Sequence, residues 1–164
     1  VKSEVGVGTT FRLYFKAAAP QSLPQQQETE NVAAPLTGQE SILIAEDEPE
    51  VMRILKRTLE DAGYKVTTAQ NGDDALELFK SSPQFDLLLT DVVMPGTILG
   101  PALAQAVRLI DPDLPCIFLS GYASDTKMHG NSLSHSDLRL MKPVNRADLL
   151  IAVKKTIEAA KQGI

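Results

Sequence analysis

Phe85-Asp86-Leu87-Leu88-Leu89-Thr90-Asp91 is the stretch that decides the fold, because a nearly continuous apolar run ends there in a carboxylate. The pattern also occurs earlier, where the apolar run 41–45 is followed by Glu46 and Asp47. Continuous apolar runs are typical of parallel strands that are buried on both faces. Two such strands would bring three acids to one edge of a sheet, where their charges repel one another unless something positive is bound. The sequence therefore predicts a divalent-cation site at this edge, and a carboxylate that is open to modification.

Strand and helix patterns alternate from about residue 39 onward. The predicted strands are 41–45, 64–69, 85–90, 116–119 and 138–141, and helices are predicted from Pro49, from Asp73 or Asp74, from Pro101, within 123–136 and after Asn145. This alternation predicts an α/β fold with a parallel sheet that helices cover on both faces. In such sheets the ligand site lies at the carboxyl ends of the strands.

Apolar stripes indicate which side of each helix is buried. In the first helix the predicted apolar face comprises Val51, Ile54, Leu55, Leu59 and Ala62, and Gly63 is the predicted stop. In the third helix the predicted face comprises Leu103, Val107 and Ile110. Asn145 is the predicted cap of the last helix, with Asp148 as its partner.

The composition limits the classes of function. The chain has 164 residues, 43% of them hydrophobic, which suits one ordinary domain with some additional chain. A net charge of −5 argues against a nucleic-acid-binding surface. The single cysteine, Cys116, excludes an internal disulfide and is expected to be a small buried apolar residue. No apolar stretch approaches the roughly 20 residues that a membrane-spanning helix needs.

Ser120 and Lys142 follow two further predicted strands and should reach the same edge as the acids. Taken singly, each of these polar residues has an ordinary interpretation as a helix cap, a turn hydroxyl or a surface lysine. Together they form a coherent set. The three carboxylates are hard oxygen ligands that suit Mg²⁺, and Asp91 can also act as a nucleophile toward phosphorus. Ser120 and Lys142 can contact the oxygens of a phosphoryl group.

Residues from about 40 to 162 resemble a response-regulator receiver domain. The matching segments are Ile42-Leu43-Ile44-Ala45-Glu46-Asp47-Glu48, Leu88-Leu89-Thr90-Asp91-Val92-Val93-Met94-Pro95-Gly96, Leu119-Ser120-Gly121-Tyr122 and Leu140-Met141-Lys142-Pro143. The resemblance implies a flavodoxin-like (βα)5 fold, with five parallel strands in the order 2-1-3-4-5.

The resemblance also implies the role of each site residue. Asp91 would accept a phosphoryl group from phosphohistidine, and Lys142 would sense the phosphate. Mg²⁺ would be bound by Glu46, Asp47, Asp91 and the carbonyl of Val93. The fourth helix and the fifth strand would form an interaction surface that responds to phosphorylation, with Ser120, Tyr122, Arg139 and Pro143 as its switch and output residues.

Two positions depart from the family pattern. Arg139 stands three residues before the lysine, where receivers usually have Tyr or Phe. It is either a solvated residue of an edge strand or a salt-bridging output contact. The loop 97–101 follows a longer path than is common in the family, so Ile98 and Leu99 are expected to be partly exposed.

The first residues resemble a different domain. Residues 1–16, with Gly6-Val7-Gly8-Thr9-Thr10 before the alternating run 11–15, are similar to the last glycine box and final strand of a histidine-kinase ATP-binding domain. Residues 17–38, rich in Ala, Pro and Gln, are a predicted flexible linker, and residues 39–164 are the predicted receiver domain. In this chain the run 11–15 has no sheet to join, so residues 1–16 are expected to be disordered or bound to a neighbour.

This order of segments implies a parent protein of the hybrid sensor histidine kinase type, with the kinase core outside this chain. The phosphohistidine donor would be the parent's own kinase domain or a histidine phosphotransfer protein. We expect a cytoplasmic fragment, monomeric or weakly dimeric, that contacts neither nucleic acid nor the membrane directly. The parent is expected to be either soluble or membrane-anchored.

Three functions are compatible with the strand-end residues. The first is a phosphoacceptor module that assists its own phosphorylation and dephosphorylation. The second is an interaction module that keeps the fold without the phosphorylation switch, which Arg139 favours. The third is a phosphatase of the haloacid-dehalogenase kind, but such an enzyme would need a second Asp at the position of Val93. The aliphatic Val93 also predicts slow hydrolysis of an acyl phosphate, because it offers no side-chain help to an attacking water.

Overall fold

A computed structural model describes residues 1–14, 36–82, 84–121 and 137–162. The described residues belong to two compact units, one within residues 1–33 and the other within residues 34–164. Each unit is described by itself.

The first unit contains a β-hairpin. Strand β1 (Lys2–Glu4) pairs antiparallel with strand β2 (Gly8–Thr10), and Gly6, at φ = 80°, provides the turn between them. Every described side chain of this unit is exposed. Two expectations are therefore corrected: the segment forms a hairpin of its own, and no strand forms over 11–14, the described part of the run 11–15. The physical reason is that the turn at Gly6 reverses the chain, so residues 2–4 and 8–10 form hydrogen bonds with each other.

The second unit is a five-stranded parallel sheet with helices on both faces. Its strands are β3 (Ser41–Ala45), β4 (Lys65–Ala69), β5 (Leu87–Asp91), β6 (Cys116–Ser120) and β7 (Leu138–Met141). Its described helices are α1 (Pro49–Glu60), α2 (Gly72–Ser81), α3 (Gly100–Arg108) and α4 (Arg146–Gln162). The strand order is β4-β3-β5-β6-β7, which confirms the predicted order 2-1-3-4-5 counted from β3. The helix predicted within 123–136 lies outside the described residues.

Alternate residues of the central strands point into two separate cores. Ile42 and Ile44 of β3 pack with α1 and α4 on one face of the sheet. Leu43 and Ala45 pack with α2 and α3 on the other face. Strands β5 and β6 are buried at every position, so the continuous apolar runs are explained by burial on both sides.

The helix boundaries follow local capping signals. Pro49 lies in the first turn of α1, and Gly63, at φ = 95°, follows its end as expected. The cap of α2 is Asn71, whose side chain accepts a hydrogen bond from the backbone of Asp74 at 2.8 Å, so this helix begins before the predicted Asp73 or Asp74. In α4, Asn145 accepts from the backbone of Asp148 at 2.9 Å, which confirms that pairing.

Two predicted core positions are wrong. Ile54 is 59% exposed and Ile110 is 45% exposed. Ile54 lies at the margin of the apolar stripe of α1, where the helix surface has already turned away from the sheet. Ile110 lies beyond α3, which ends at Arg108 and not at the predicted Ile110. The other stripe residues of α3, Leu103 and Val107, are fully buried.

The sheet unit begins before residue 39. Leu36 packs against the core on the α1 side, and the backbone of Gly38 donates a hydrogen bond to the Ala62 carbonyl at 3.1 Å. Residues 36–38 of the predicted linker 17–38 are therefore attached to the folded unit, and residues 17–35 lie outside the described part. None of the helices that the structure describes is both long and apolar enough to cross a membrane.

Candidate functional site

The predicted site residues meet at the carboxyl edge of the sheet. Glu46 directly follows β3, Asp91 is the last residue of β5, and Lys142 directly follows β7. The strands run parallel and in register, with Ala45 beside Thr90 and Asp91 beside Leu119, so their ends are level. The topology brings together residues that lie up to 96 positions apart in the chain.

Three carboxylates form a cluster at this edge. Ligand oxygens of Glu46, Asp47 and Asp91 all lie within 4.8 Å of one another. Glu46 is fully buried, Asp91 is 9% exposed, and Asp47 is half-buried. Such a group of acids is unfavourable in a buried place unless positive charge balances it.

Lys142 supplies part of that balance. Its Nζ lies 2.6 Å from Asp91 Oδ2, 2.8 Å from Glu46 Oε2 and 3.0 Å from Glu46 Oε1. Its side chain is only 15% exposed. A weaker contact, 3.8 Å, joins the ammonium to the exposed carboxylate of Glu48. One ammonium is therefore shared among several acids.

The pKa values reflect this crowding. Burial raises the pKa of Glu46, and the Asp91 charge adds to that effect, while Lys142 opposes it. Burial would lower the pKa of Lys142, but its hydrogen bonds to Asp91 and Glu46 outweigh that effect and raise it. Although Nζ is 2.8 Å from Glu46 Oε2, that buried oxygen has no partner in hydrogen-bond geometry. Glu46 Oε2 thus has an ion-pair contact with Lys142 but accepts no hydrogen bond.

The residues at this edge fit Mg²⁺. Carboxylate oxygens are the hard ligands that Mg²⁺ takes, usually in small number with water completing the shell. Glu46, Asp47 and Asp91 supply such oxygens within reach of one another, and Glu46 Oε2, which pairs with Lys142 in charge but accepts no hydrogen bond, is an oxygen that a cation would satisfy. The acidic cluster predicted from the sequence is therefore present in the structure.

The backbone around Asp91 is tightly packed, which sequence reasoning missed. The Thr90 hydroxyl donates to the Asp91 carbonyl at 2.9 Å, and the backbone of Val93 donates to Asp91 Oδ1 at 3.3 Å. A Cβ on Gly100 would lie 2.1 Å from the Asp91 carbonyl oxygen, so only glycine fits there. The signal in the sequence was the glycine before Pro101, which was read only as part of a loop.

The predicted switch residues have different surroundings. Ser120 is 2% exposed, and its carbonyl accepts a hydrogen bond from the Lys142 backbone at 2.8 Å. Pro143 is exposed, and the peptide bond before it is cis. Arg139 is an exposed residue of the edge strand β7, which is compatible with both predicted alternatives, a solvated side chain and an output contact. Tyr122 lies outside the described residues.

Two residues of the loop after Asp91 were expected to be partly exposed. Ile98 and Leu99 are half-buried, which confirms their predicted partial exposure. Val93 is 54% exposed and directs an aliphatic side chain away from the core.

Known proteins are similar to this chain in sequence and in fold. The family model described as "Response regulator receiver domain" matches residues 42–154. The response regulator receiver protein CpdR of Brucella abortus is 40% identical over 120 residues, which are 73% of this chain and 98% of that protein. A crystal structure of a response regulator receiver protein from Sinorhizobium medicae superposes with a TM-score of 0.68 at 32% identity, covering 74% of this chain and 97% of that one.

A longer relative extends the similarity beyond the sheet unit. The sensor kinase CckA of Brucella abortus is 33% identical over 163 residues, which are 95% of this chain. The chain spans only 17% of the length of that protein.

Proposed function

This chain belongs to the response regulator receiver domain family of two-component signal transduction, and we propose that Asp91 is its phosphoacceptor. The observation that carries the proposal is the contact set of Lys142, whose ammonium bridges Asp91 and the buried Glu46 at the carboxyl edge of the sheet. Asp91 keeps 9% of its surface exposed to solvent. Its carboxylate accepts a hydrogen bond from the Val93 backbone and lies beside the ammonium of Lys142.

The proposed reaction is transfer from a phosphohistidine to the Asp91 carboxylate. An oxygen of Asp91 attacks phosphorus, a phosphorus–oxygen bond forms, and the phosphorus–nitrogen bond breaks. The bonding electron pair remains on the imidazole, which takes up a proton from water. Lys142 stays close to the Asp91 oxygen and offsets the negative charge of the phosphoryl group, so positioning and charge are the main contributions of the protein.

Mg²⁺ is the proposed cofactor, with Glu46, Asp47, Asp91 and the carbonyl of Val93 as its ligands. When bound, it supplies positive charge between the carboxylate and the phosphoryl oxygens. The support for this proposal is the cluster of acids and the buried Glu46 oxygen that lacks a hydrogen-bond partner.

The response to phosphorylation is proposed to involve Ser120 and Lys142. Both lie at the ends of strands beside Asp91, where the hydroxyl of Ser120 and the ammonium of Lys142 can each contact a phosphoryl oxygen. The proposed output surface includes Arg139 and Pro143, which are exposed, and Tyr122. Because Arg139 replaces the usual aromatic residue, any coupling through this surface must work without an aromatic side chain at that position.

A groove beside the site offers room for the phosphohistidine donor. It has a volume of about 400 Å³ and is lined by Val51, Ile54, Leu55 and Val144 together with Lys142. The unexpected exposure of Ile54, at 59%, places an apolar side chain on its rim. The donor is proposed to be the parent's own kinase domain or a histidine phosphotransfer protein.

The parent is proposed to be a hybrid sensor histidine kinase. In support, the similarity to the sensor kinase CckA covers 95% of this chain and thus extends well before residue 42. Residues 1–16 would be the end of the ATP-binding domain, 17–38 mainly linker, and 39–164 the receiver. We further propose a cytoplasmic location for this part, and a monomer or weak dimer in solution.

Incubation with acetyl phosphate and Mg²⁺ tests the proposal. Intact mass spectrometry should show one added phosphoryl group, and Asp91→Asn should remove it. Asp86→Asn is a matched control, because Asp86 lies at the opposite edge of the sheet, where it accepts from the Ser41 backbone. A wild-type chain that remains unmodified at saturating donor and Mg²⁺ would contradict the proposal and favour a phosphorylation-independent interaction module.

A further inference from the structure

The loop that borders the Asp91 site is attached to the first turn of α2. We call residues 94–99, between β5 and α3, the rim loop. Asp73 Oδ2 accepts a hydrogen bond from the Thr97 backbone at 2.8 Å, and Asp73 Oδ1 accepts one from the Thr97 hydroxyl. One side chain of α2 therefore satisfies two donors of a single loop residue.

The backbones of the loop and the helix also touch. A Cβ on Gly72 would lie 2.1 Å from the Ile98 carbonyl oxygen. Gly96, at φ = 111°, turns the chain so closely under Asp73 that a Cβ there would lie 2.6 Å from Asp73 Oδ2. Glycine at both positions allows the loop to approach the helix. The hydrogen bonds between Asp73 and Thr97 therefore lie next to the close approach of the helix backbone at Gly72 to the loop backbone at Ile98.

The rim loop is anchored at both ends, and its middle is held in a different way. At its start, Met94 is buried, and just past its end the Gly100 backbone donates to the Val92 carbonyl at 3.2 Å. Its middle residues, Pro95, Gly96 and Thr97, are exposed and add little to the core. With little apolar burial there, polar contacts decide the path of the middle of the loop. The main such contact is the one between Asp73 and Thr97.

We infer that Asp73 is a positioning residue for the cation site: by holding Thr97 it fixes the middle of the rim loop, and through Met94, the first residue of that loop, it restricts the backbone that carries the Val93 carbonyl. The inference rests on the proposed function, in which that carbonyl is a Mg²⁺ ligand. Residues that orient metal ligands typically contribute about tenfold or more to metal affinity. The longer path of this loop, noted in the sequence, makes such an attachment more important, because a longer loop has more freedom to lose.

Asp74 provides a matched control for charge. It carries the same charge one residue away in the same helical turn, but its side chain accepts from the Asn71 amide at 2.8 Å instead of contacting the loop. A general electrostatic effect on the cation would appear in both Asp73→Ala and Asp74→Ala. An effect of the loop attachment would appear only in Asp73→Ala.

Two measurements on the whole chain test the inference: amide hydrogen exchange of the rim loop without metal, and the Mg²⁺ dissociation constant by calorimetry. For Asp73→Ala we expect faster exchange in the loop with unchanged exchange in β3, and about tenfold weaker Mg²⁺ binding. Asp73→Asn keeps one acceptor oxygen and should recover much of the affinity. Asp74→Ala should resemble the wild type in both measurements.

The possible failures are distinguishable. Unchanged Mg²⁺ affinity in Asp73→Ala, or an equal loss in Asp74→Ala, would overturn the inference while wild-type phosphorylation at Asp91 leaves the proposed function intact. A wild-type chain that binds no Mg²⁺ would instead contradict the proposed cation site itself.

Discussion

Two buried groups of charged side chains in this protein have similar exposure but a different balance of charge. Arg108 and Asp137 have side chains that are 19% and 1% exposed, and they join the end of α3 to the start of β7 through two hydrogen bonds. Lys142 is 15% exposed and shares its ammonium between Glu46 and Asp91, which are 0% and 12% exposed as side chains. The first contact joins one cation to one anion, and the second joins one cation to two anions.

The difference separates a structural pair from a reactive one. A guanidinium presents two parallel donors that match both oxygens of a carboxylate, so the Arg108–Asp137 pair is balanced in charge and in geometry. The ammonium of Lys142 cannot satisfy two carboxylates in the same way, and one oxygen of Glu46 stays without a hydrogen bond. The unbalanced cluster of Glu46, Asp47 and Asp91 with Lys142 can therefore bind a further cation.

The largest expected effect is at the balanced pair. Arg108→Met removes the guanidinium from a buried carboxylate and should lower the free energy of unfolding by about 3–5 kcal/mol. The double variant with Asp137→Leu should recover most of this loss. As a control, Arg57→Met at the exposed pair with Asp61 should cost no more than about 1 kcal/mol. Urea unfolding measures all three, and equal losses at the two sites would remove the distinction between buried and exposed pairs.

A second effect distinguishes the unbalanced cluster. Lys142→Met removes the ammonium that competes with a metal for Glu46 and Asp91, so Mg²⁺ should bind about tenfold more tightly, equivalent to about 1.4 kcal/mol. Mg²⁺ should also restore the thermal stability of this variant but not that of Arg108→Met. Calorimetric titration with Mg²⁺ checks the first statement. Weaker binding in Lys142→Met would show that the lysine supports the cation instead of competing with it.

A third and smaller effect concerns the lifetime of the modified state. Val93 is 54% exposed and has no polar group to orient a water toward phosphorus, so the acyl phosphate should persist for minutes or longer. Val93→Asn adds such a group and should shorten the lifetime a few-fold, which is less than the roughly hundredfold or more that a positioned general base contributes, because an amide can orient a water but cannot take its proton. Decay of the phosphorylated mass after donor removal measures it. A wild-type half-life of seconds would contradict the account.

The smallest expected effect concerns the thiol of Cys116, which is influenced by the charge of Arg108 and should be unreactive in the native protein. Burial raises the pKa of the Cys116 thiol to about 12, even though the Arg108 charge opposes the shift. The native protein should therefore not react with a thiol reagent at mildly alkaline pH and should react fully in urea. Arg108→Met should expose the thiol only to the extent that the protein unfolds. Rapid labelling of the native wild type would show that the structure around this pair opens locally.

The same comparison explains what could be predicted from the sequence. The strand-end acids were found because continuous apolar runs mark buried parallel strands, and parallel strands bring their carboxyl ends together. The order 2-1-3-4-5 came from the family resemblance and is confirmed. Neither the Arg108–Asp137 pair nor the contact of Asp73 with Thr97 was predicted, because each joins residues in different elements without a local pattern.

The errors have a common physical origin. Ile54 and Ile110 were assigned to the core from helical spacing alone, which gives the direction of an apolar face but neither its width, which matters for Ile54, nor the end of the helix, which comes before Ile110. The cap of α2 was assigned too late because three residues that favour caps, Asn71, Asp73 and Asp74, stand close together. In the structure Asn71 caps the helix, while the side chain of Asp73 accepts from Thr97.

The most direct test of the central claim is to identify the atom that is modified. After incubation with acetyl phosphate and Mg²⁺, borohydride reduces an aspartyl phosphate to homoserine, and peptide mass spectrometry locates the product. We predict homoserine at position 91 and at no other acid, with none formed when Mg²⁺ is removed by chelation. Homoserine at Asp47 or at an acid outside the cluster, or equal modification without Mg²⁺, would contradict the account.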